Sequence, residues 1–213
     1  MYSYNINWIM NILPIDLIEY CIFDKLDFLT QIRFRQICKW LNRIKIHNMY
    51  YYMNIQYIDR LSNKILINYP EIKYLMVSYN SKVSNINHMT KLQILDASCV
   101  YLECGIGDNG IKNLNLIELY AADNKKIKNV NHMTNLKILN ASWSCGINDV
   151  GIKDLNLIKL NAKYNPKITD VNHMTNLKIL DASGENCGLN DNGIKNLNNT
   201  AIYSIYNKKI TTK

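Results

Sequence analysis

Three prolines and three phenylalanines are all that a chain of 213 residues contains of either. Long apolar runs are missing too: none reaches the roughly 18 residues that a membrane-crossing helix needs. The opening stretch, Met1 to Asn5, has neither the basic leader nor the apolar core of a secretory signal. These absences set the expectation of a cytoplasmic, possibly nuclear chain that is not secreted and not membrane-bound, with its cysteines reduced.

The short motifs of common chemistries are also absent. There is no G-x-x-x-x-G-K-[ST] phosphate loop, no H-E-x-x-H and no G-x-S-x-G. Basic residues are numerous but dispersed. The formal charge is +8, yet the only Lys-Lys pairs are Lys125-Lys126 and Lys208-Lys209. A solvated basic surface is expected from this, not a nucleic-acid partner.

What is present is apolar and repetitive. Hydrophobic residues make up 48% of the chain, which excludes disorder over most of its length. Asn, Ile, Lys and Tyr are abundant, a bias expected of an AT-rich genome. The stretch from Asn87 to Ser98 returns at Asn131 to Ser142 and again at Asn172 to Ser183. A second class of unit alternates with these copies, as in Leu116 to Ala121 and Leu157 to Ala162.

One leucine per unit falls into register: Leu75, Leu95, Leu119, Leu139, Leu160, Leu180, with Ile202 in the last. The spacing of 20 to 24 residues and the pattern L-x-x-L-x-[VA]-x-x-N, explicit at Leu116 to Asn124 and Leu157 to Asn165, resemble leucine-rich repeats. Cys104-Gly105, Cys145-Gly146 and Cys187-Gly188 each open a C-x-[IL]-x-D-x-G-[IL] run, which resembles the cysteine-containing subtype. The implied fold is an α/β solenoid of about seven units over 71–213, with short parallel strands and convex helices and loops. Asn80, Asn124, Asn165 and Asn207 should satisfy buried backbone groups where the chain leaves each strand. Asp108, Asp149 and Asp191 should cap the outer helices.

Ahead of the repeats, 1–11 reads as a tail, 12–44 as short helices and 45–70 as a helical connector. Within 12–44, Leu13-Pro14-Ile15-Asp16-Leu17 and Arg35-Gln36-Ile37-Cys38-Lys39-Trp40 resemble the opening and close of the F-box. Trp40 follows Lys39 directly, where that family has one residue between. The resemblance implies a small all-α segment that docks a Skp1-like adaptor, and through it a cullin, by burying Leu13, Pro14, Leu17, Ile37, Cys38 and Trp40. F-box plus repeats implies a ubiquitin-ligase substrate receptor whose repeats hold an unknown protein target. The alternative is a plain leucine-rich-repeat binding module in which the N-terminal helices only cap the array.

His88, His132 and His173 lie two units apart, roughly 10 Å from one to the next at the strand spacing. Zinc needs its ligands about 2 Å away, so turn histidines are expected and no metal. Cys104, Cys145 and Cys187 read as core thiols. Cys99 and Cys104 lack a second ligand pair. No catalytic residue and no cofactor is expected; the chain reads as an adaptor and not an enzyme.

The target is expected on the concave face. The residue after each register leucine should point there: Asp96, Tyr120, Asn140, Asn161 and Asp181, flanked by Met76 and Tyr203. Two positions further lies a small-residue floor of Ser78, Ser98, Ser142 and Ser183. At the next position Trp143 and Tyr164, with Tyr79 and Tyr206, supply the aromatic type that anchors protein interfaces.

Overall fold

A computed structural model describes residue 31, the backbone of 48 and 49, and residues 61–99 and 103–211. The F-box-like residues Leu13, Pro14, Leu17, Ile37, Cys38 and Trp40 lie outside the described residues, as does the 1–11 tail.

Eight parallel strands form one sheet in strict chain order. They are β1 (Asn48–Met49), β2 (Tyr74–Met76), β3 (Ile94–Asp96), β4 (Glu118–Tyr120), β5 (Ile138–Asn140), β6 (Lys159–Asn161), β7 (Ile179–Asp181) and β8 (Ala201–Tyr203). The register leucines pair one on the next, Leu75 with Leu95, Leu95 with Leu119, and so on to Leu180 with Ile202. Side chains alternate across a strand, so this register stacks every leucine on its neighbour inside the solenoid. Leu75, Leu95, Leu119, Leu139, Leu160 and Leu180 are all fully buried. Full burial of one such side chain is worth about 1.5–3 kcal/mol.

The near-identical copies are core-building units. Val130, Met133, Leu136, Leu139 and Ala141 are buried in one, and Val171, Met174, Leu177, Leu180 and Ala182 in the next. No unit could bury these alone; each covers its neighbour.

Polar ladders bind the rungs. Asn165 Nδ2 donates to the carbonyls of Ala141 (2.7 Å) and Ile147 (3.2 Å), while its Oδ1 accepts from the Lys167 N–H (2.9 Å). Asn124 and Asn207 do the same against Ala97 and Ile106 and against Ala182 and Leu189. The expected amide ladder is therefore present. Beside it, the ammonium groups of Lys126, Lys167 and Lys209 donate to the carbonyls of Cys104, Cys145 and Cys187.

The outer helices occupy only one turn each: α1 (Asn63–Leu66), α2 (Asp108–Ile111), α3 (Asp149–Ile152) and α4 (Asp191–Ile194). The expected aspartate caps shift by one residue. Asn148 and Asn190 are the N-caps of α3 and α4, accepting from the Gly151 and Gly193 N–H groups. The aspartates begin the helices and reach forward instead. Asp108 accepts from the Lys128 and Asn129 N–H groups, and Asp149 from those of Thr169 and Asp170. The glycine of the motif is steric: a Cβ on Gly151 would collide with the Lys128 carbonyl of the preceding unit.

The connector, expected to be helical, contains α1 but is not helical throughout. It contributes β1, which pairs with β2, and Asn63 Oδ1 accepts from the Ser84 and Asn85 N–H groups as Asp108 does one pair of units later. The repeat geometry thus starts well before residue 71.

Candidate protein-binding face

The outward face of the sheet is built by the residues flanking each register leucine. Asp96, Tyr120, Asn140, Asn161 and Asp181 line up as direct strand neighbours, half-buried between Met76 and Tyr203. The structure brings these expected residues into one row.

Four of them have a structural duty that the sequence reading missed. Strands of three residues leave a backbone N–H just beyond their end, and the Asx side chain turns to accept from it. Asp96 Oδ1 takes the Ser98 N–H at 3.0 Å, Asn140 that of Ser142 at 3.2 Å, Asn161 that of Lys163 at 3.0 Å and Asp181 that of Ser183 at 3.0 Å. One oxygen or one amide NH2 of each remains for a partner.

Tyr120 is committed as well. Its hydroxyl donates to Glu118 at 2.8 Å. Its pKa is pushed up to about 12, first by burial, then by that bond and by the charges of Glu118 and Asp96. Glu118 is thus a face residue that the sequence reading passed over; it directly precedes a register leucine.

The serine floor is corrected at three of its four positions, Ser98 alone staying half-buried. Ser78, Ser142 and Ser183 are only 3–4% exposed, because the chain turns inward after each strand and draws them beneath it.

The fourth residue after the register leucine forms a second column. Tyr79, Asp123, Trp143, Tyr164 and Tyr206 there have φ between 55° and 63°, and Gly184 has φ of 104°. The left-handed turn lets their N–H groups continue the ladder: Asp123 donates to Ser142, Trp143 to Lys163 and Tyr164 to Ser183. It also swings the next residue, the ladder asparagine, inward. Glycine or asparagine meets this need with the least strain, whereas a bulky side chain resists it. Trp143 nonetheless stands there 49% exposed. Its ring stacks on Tyr164 with centroids 4.5 Å apart and planes 21° apart. Lys163 Nζ lies 5.6 Å from the Tyr164 ring centre. Tyr164 in turn covers Gly184, where a Cβ would strike its ring.

The expectation of reduced cysteines meets a correction at this edge. Cys99 and Cys104 are joined as a disulfide, their Cα atoms 5.6 Å apart across a short loop. Beside it a depression of about 380 Å³ is lined by Glu103, Asp123, Lys125 and Lys126. Cys145 and Cys187 are free, buried thiols. Burial pushes Cys145 up to about 11 and raises Cys187 as well.

His132 and His173 serve the turns, whereas the buried His88 Nε2 has no hydrogen-bond partner among the described residues. His132 Nε2 is 3.2 Å from the Ile111 carbonyl, and His173 Nε2 is 3.1 Å from that of Ile152. Among the described residues no three His, Cys, Asp or Glu side chains converge as a metal site would require.

No family model matches the chain, and no curated protein matches its sequence. Among solved structures it is similar to the internalin inlF of Listeria monocytogenes, at 19% identity and a TM-score of 0.42, over 71% of this chain and 53% of that one. The chain therefore spans about half the length of the internalin. By its own rung spacing, parallel register and asparagine ladder, the protein is a parallel-strand solenoid, consistent with a leucine-rich-repeat fold.

Proposed function

We propose that this chain is a protein-recognition module, and not an enzyme, whose sheet face holds a target protein across several units. The Trp143–Tyr164 stack carries this reading. Two large rings, Trp143 exposed and Tyr164 half-buried, sit at backbone positions where the fold alone would favour glycine or asparagine. Strain of this kind gathers at functional sites. Tyr120→Ala combined with Trp143→Ala should weaken target binding by about a hundredfold. Charge reversal of Lys112 and Lys153, exposed at the ends of α2 and α3, should leave it unchanged. The affinities are to be measured by calorimetry on a target found by pull-down. The opposite ranking would move the binding surface to the helical side.

We infer further that segment 12–44 docks a Skp1-like adaptor, which would make the chain a substrate receptor of a cullin-based ubiquitin ligase in the cytoplasm or nucleus. The Leu13 to Leu17 and Arg35 to Trp40 motifs support this reading. Leu13→Ala with Pro14→Ala should abolish capture of Skp1 and a cullin from eukaryotic extract, with the repeat array still folded by circular dichroism. Undiminished capture would leave the segment as a cap. A cytoplasmic site also requires the Cys99–Cys104 pair to be reduced in cells, which thiol trapping at lysis reads directly.

A further inference from the structure

The sheet face is polarised in charge against the rest of the molecule. From β2 to β5, the outward strand positions and the left-handed column carry Asp96, Glu118 and Asp123 and no lysine or arginine. The whole chain, by contrast, has a formal charge of +8. Among the described residues no cation of the chain pairs with these three carboxylates, gathered on the uncovered side of a basic protein. Among the described residues Glu118 is bonded only to the Tyr120 hydroxyl, which neutralises no charge. Asp96 uses one oxygen on a backbone N–H. The Asp123 side chain has no hydrogen-bond or ion-pair partner among the described residues.

Trp143 stands directly beside Asp123 in the column, the Asp123 N–H donating to Ser142 at 3.0 Å one rung away. One face of the indole is taken by Tyr164, whose ring already has Lys163 as its cation. No cation of the chain serves the indole among the described residues. A tryptophan face and an unpaired carboxylate on adjacent rungs suit a planar guanidinium, which stacks on the first and pairs with the second.

We propose that the β2–β5 half of the face receives an extended, arginine-bearing segment of the partner protein. Asp96, Glu118 and Asp123 take its cations, and Trp143 stacks on a guanidinium beside Asp123. This rests on the reading of the sheet face as the binding surface. An extended segment fits because the acceptors lie on successive rungs, roughly 4.8 Å apart, within the reach of consecutive side chains of one strand-like peptide. Lysine satisfies the charge but neither the planar stacking nor the bidentate pairing.

The test is a random linear peptide library displayed against the full chain. Selected peptides are then synthesised and measured by fluorescence anisotropy. Arginine should be enriched over lysine among the binders, and glutamate depleted. Asp96→Asn, Glu118→Gln and Asp123→Asn combined should weaken the best peptide by about tenfold or more, three rim charges each contributing modestly. Trp143→Ala should weaken it and reduce the preference for arginine over lysine. Circular dichroism verifies that each variant is folded. Peptides that need Trp143 yet are acidic or neutral, and are indifferent to the triple substitution, would overturn this proposal and leave the binding face standing. Peptides indifferent to both sets of substitutions would overturn both.

Discussion

The Asp149 carboxylate holds Thr169 with both oxygens, accepting the backbone N–H at 2.7 Å and the hydroxyl at 2.6 Å. The two residues belong to successive units, so the aspartate is a clamp between rungs, while its neighbour Asn148 caps the helix. Asp149→Ala should lower stability by about 1–3 kcal/mol, since it leaves backbone donors without their acceptor. Thr169→Val should incur only the hydroxyl part of that loss. Urea unfolding of both variants measures the split. Equal losses would show that the backbone contact contributes nothing.

Asn165 faces a harsher environment. It is fully buried and bonded to carbonyls of two preceding segments. Asn165→Leu matches its size but leaves those carbonyls and the Lys167 N–H unpaired, at about 1–3 kcal/mol for each buried group. The variant should unfold below the midpoint of Asp149→Ala in a thermal melt.

Gly151→Ala tests the close approach of units. The new methyl meets a carbonyl rather than a flexible side chain, so the backbone must yield. A loss of about 1–3 kcal/mol is expected from overpacking. Val150→Ala, next to it and 65% exposed, should lose little. Chemical denaturation of the pair gives the comparison.

Alkaline pH should loosen the fold through Cys145. Its thiol is raised from 9.0 to about 11 in the folded chain, chiefly by burial. A raised folded value means the contribution is complete below the unfolded value and is lost as pH climbs from about 9 through 11. The slope should be shallower in Cys145→Ala. Below that window Cys145 and Cys187 should resist iodoacetamide until the protein is unfolded, as peptide mass mapping will show.

The left-handed column yields an opposite kind of prediction. Tyr206 has φ of 63° and is 71% exposed. Tyr206→Gly should keep or raise the melting temperature, by up to about 1–2 kcal/mol of relieved strain. A clear loss would show that the tyrosine is required for folding.

The sequence made the inward ladder legible because leucine and asparagine recur there with nothing competing for the positions. Leu139 and Leu180 could be placed by eye, and Asn165 could be given its task. Residues doing two jobs were harder to read. Asp96 and Asn140 look like free surface groups, yet three-residue strands end so soon that each must serve a backbone N–H. Asp149 resembles a cap because aspartate is among the favoured cap residues, but Asn148, equally favoured, stands one residue earlier and takes that bond. The repeat character of the connector escaped notice because Asn63 stands where later units have aspartate, with no glycine after it to complete the motif. The asparagine excess, ascribed to codon usage, does structural work: Asn87, Asn131 and Asn172 each donate to a carbonyl of a neighbouring unit.

The alternation of helix-bearing and helix-free units has a consequence for how such a chain can change length. The clamp on Asp149 reaches into the following turn, and the amide of Asn165 reaches back to the strand and turn before it. Each kind of turn therefore finds its correct neighbour only in the other kind. Removing a single turn would set two like turns side by side, stranding one set of donors and one set of acceptors. Excising the whole stretch from Asn131 to Val171 brings Val130 against Asn172 with the parity intact. Insertions and deletions should therefore be tolerated only in even steps, so the protein grows or shrinks as a chain of paired links.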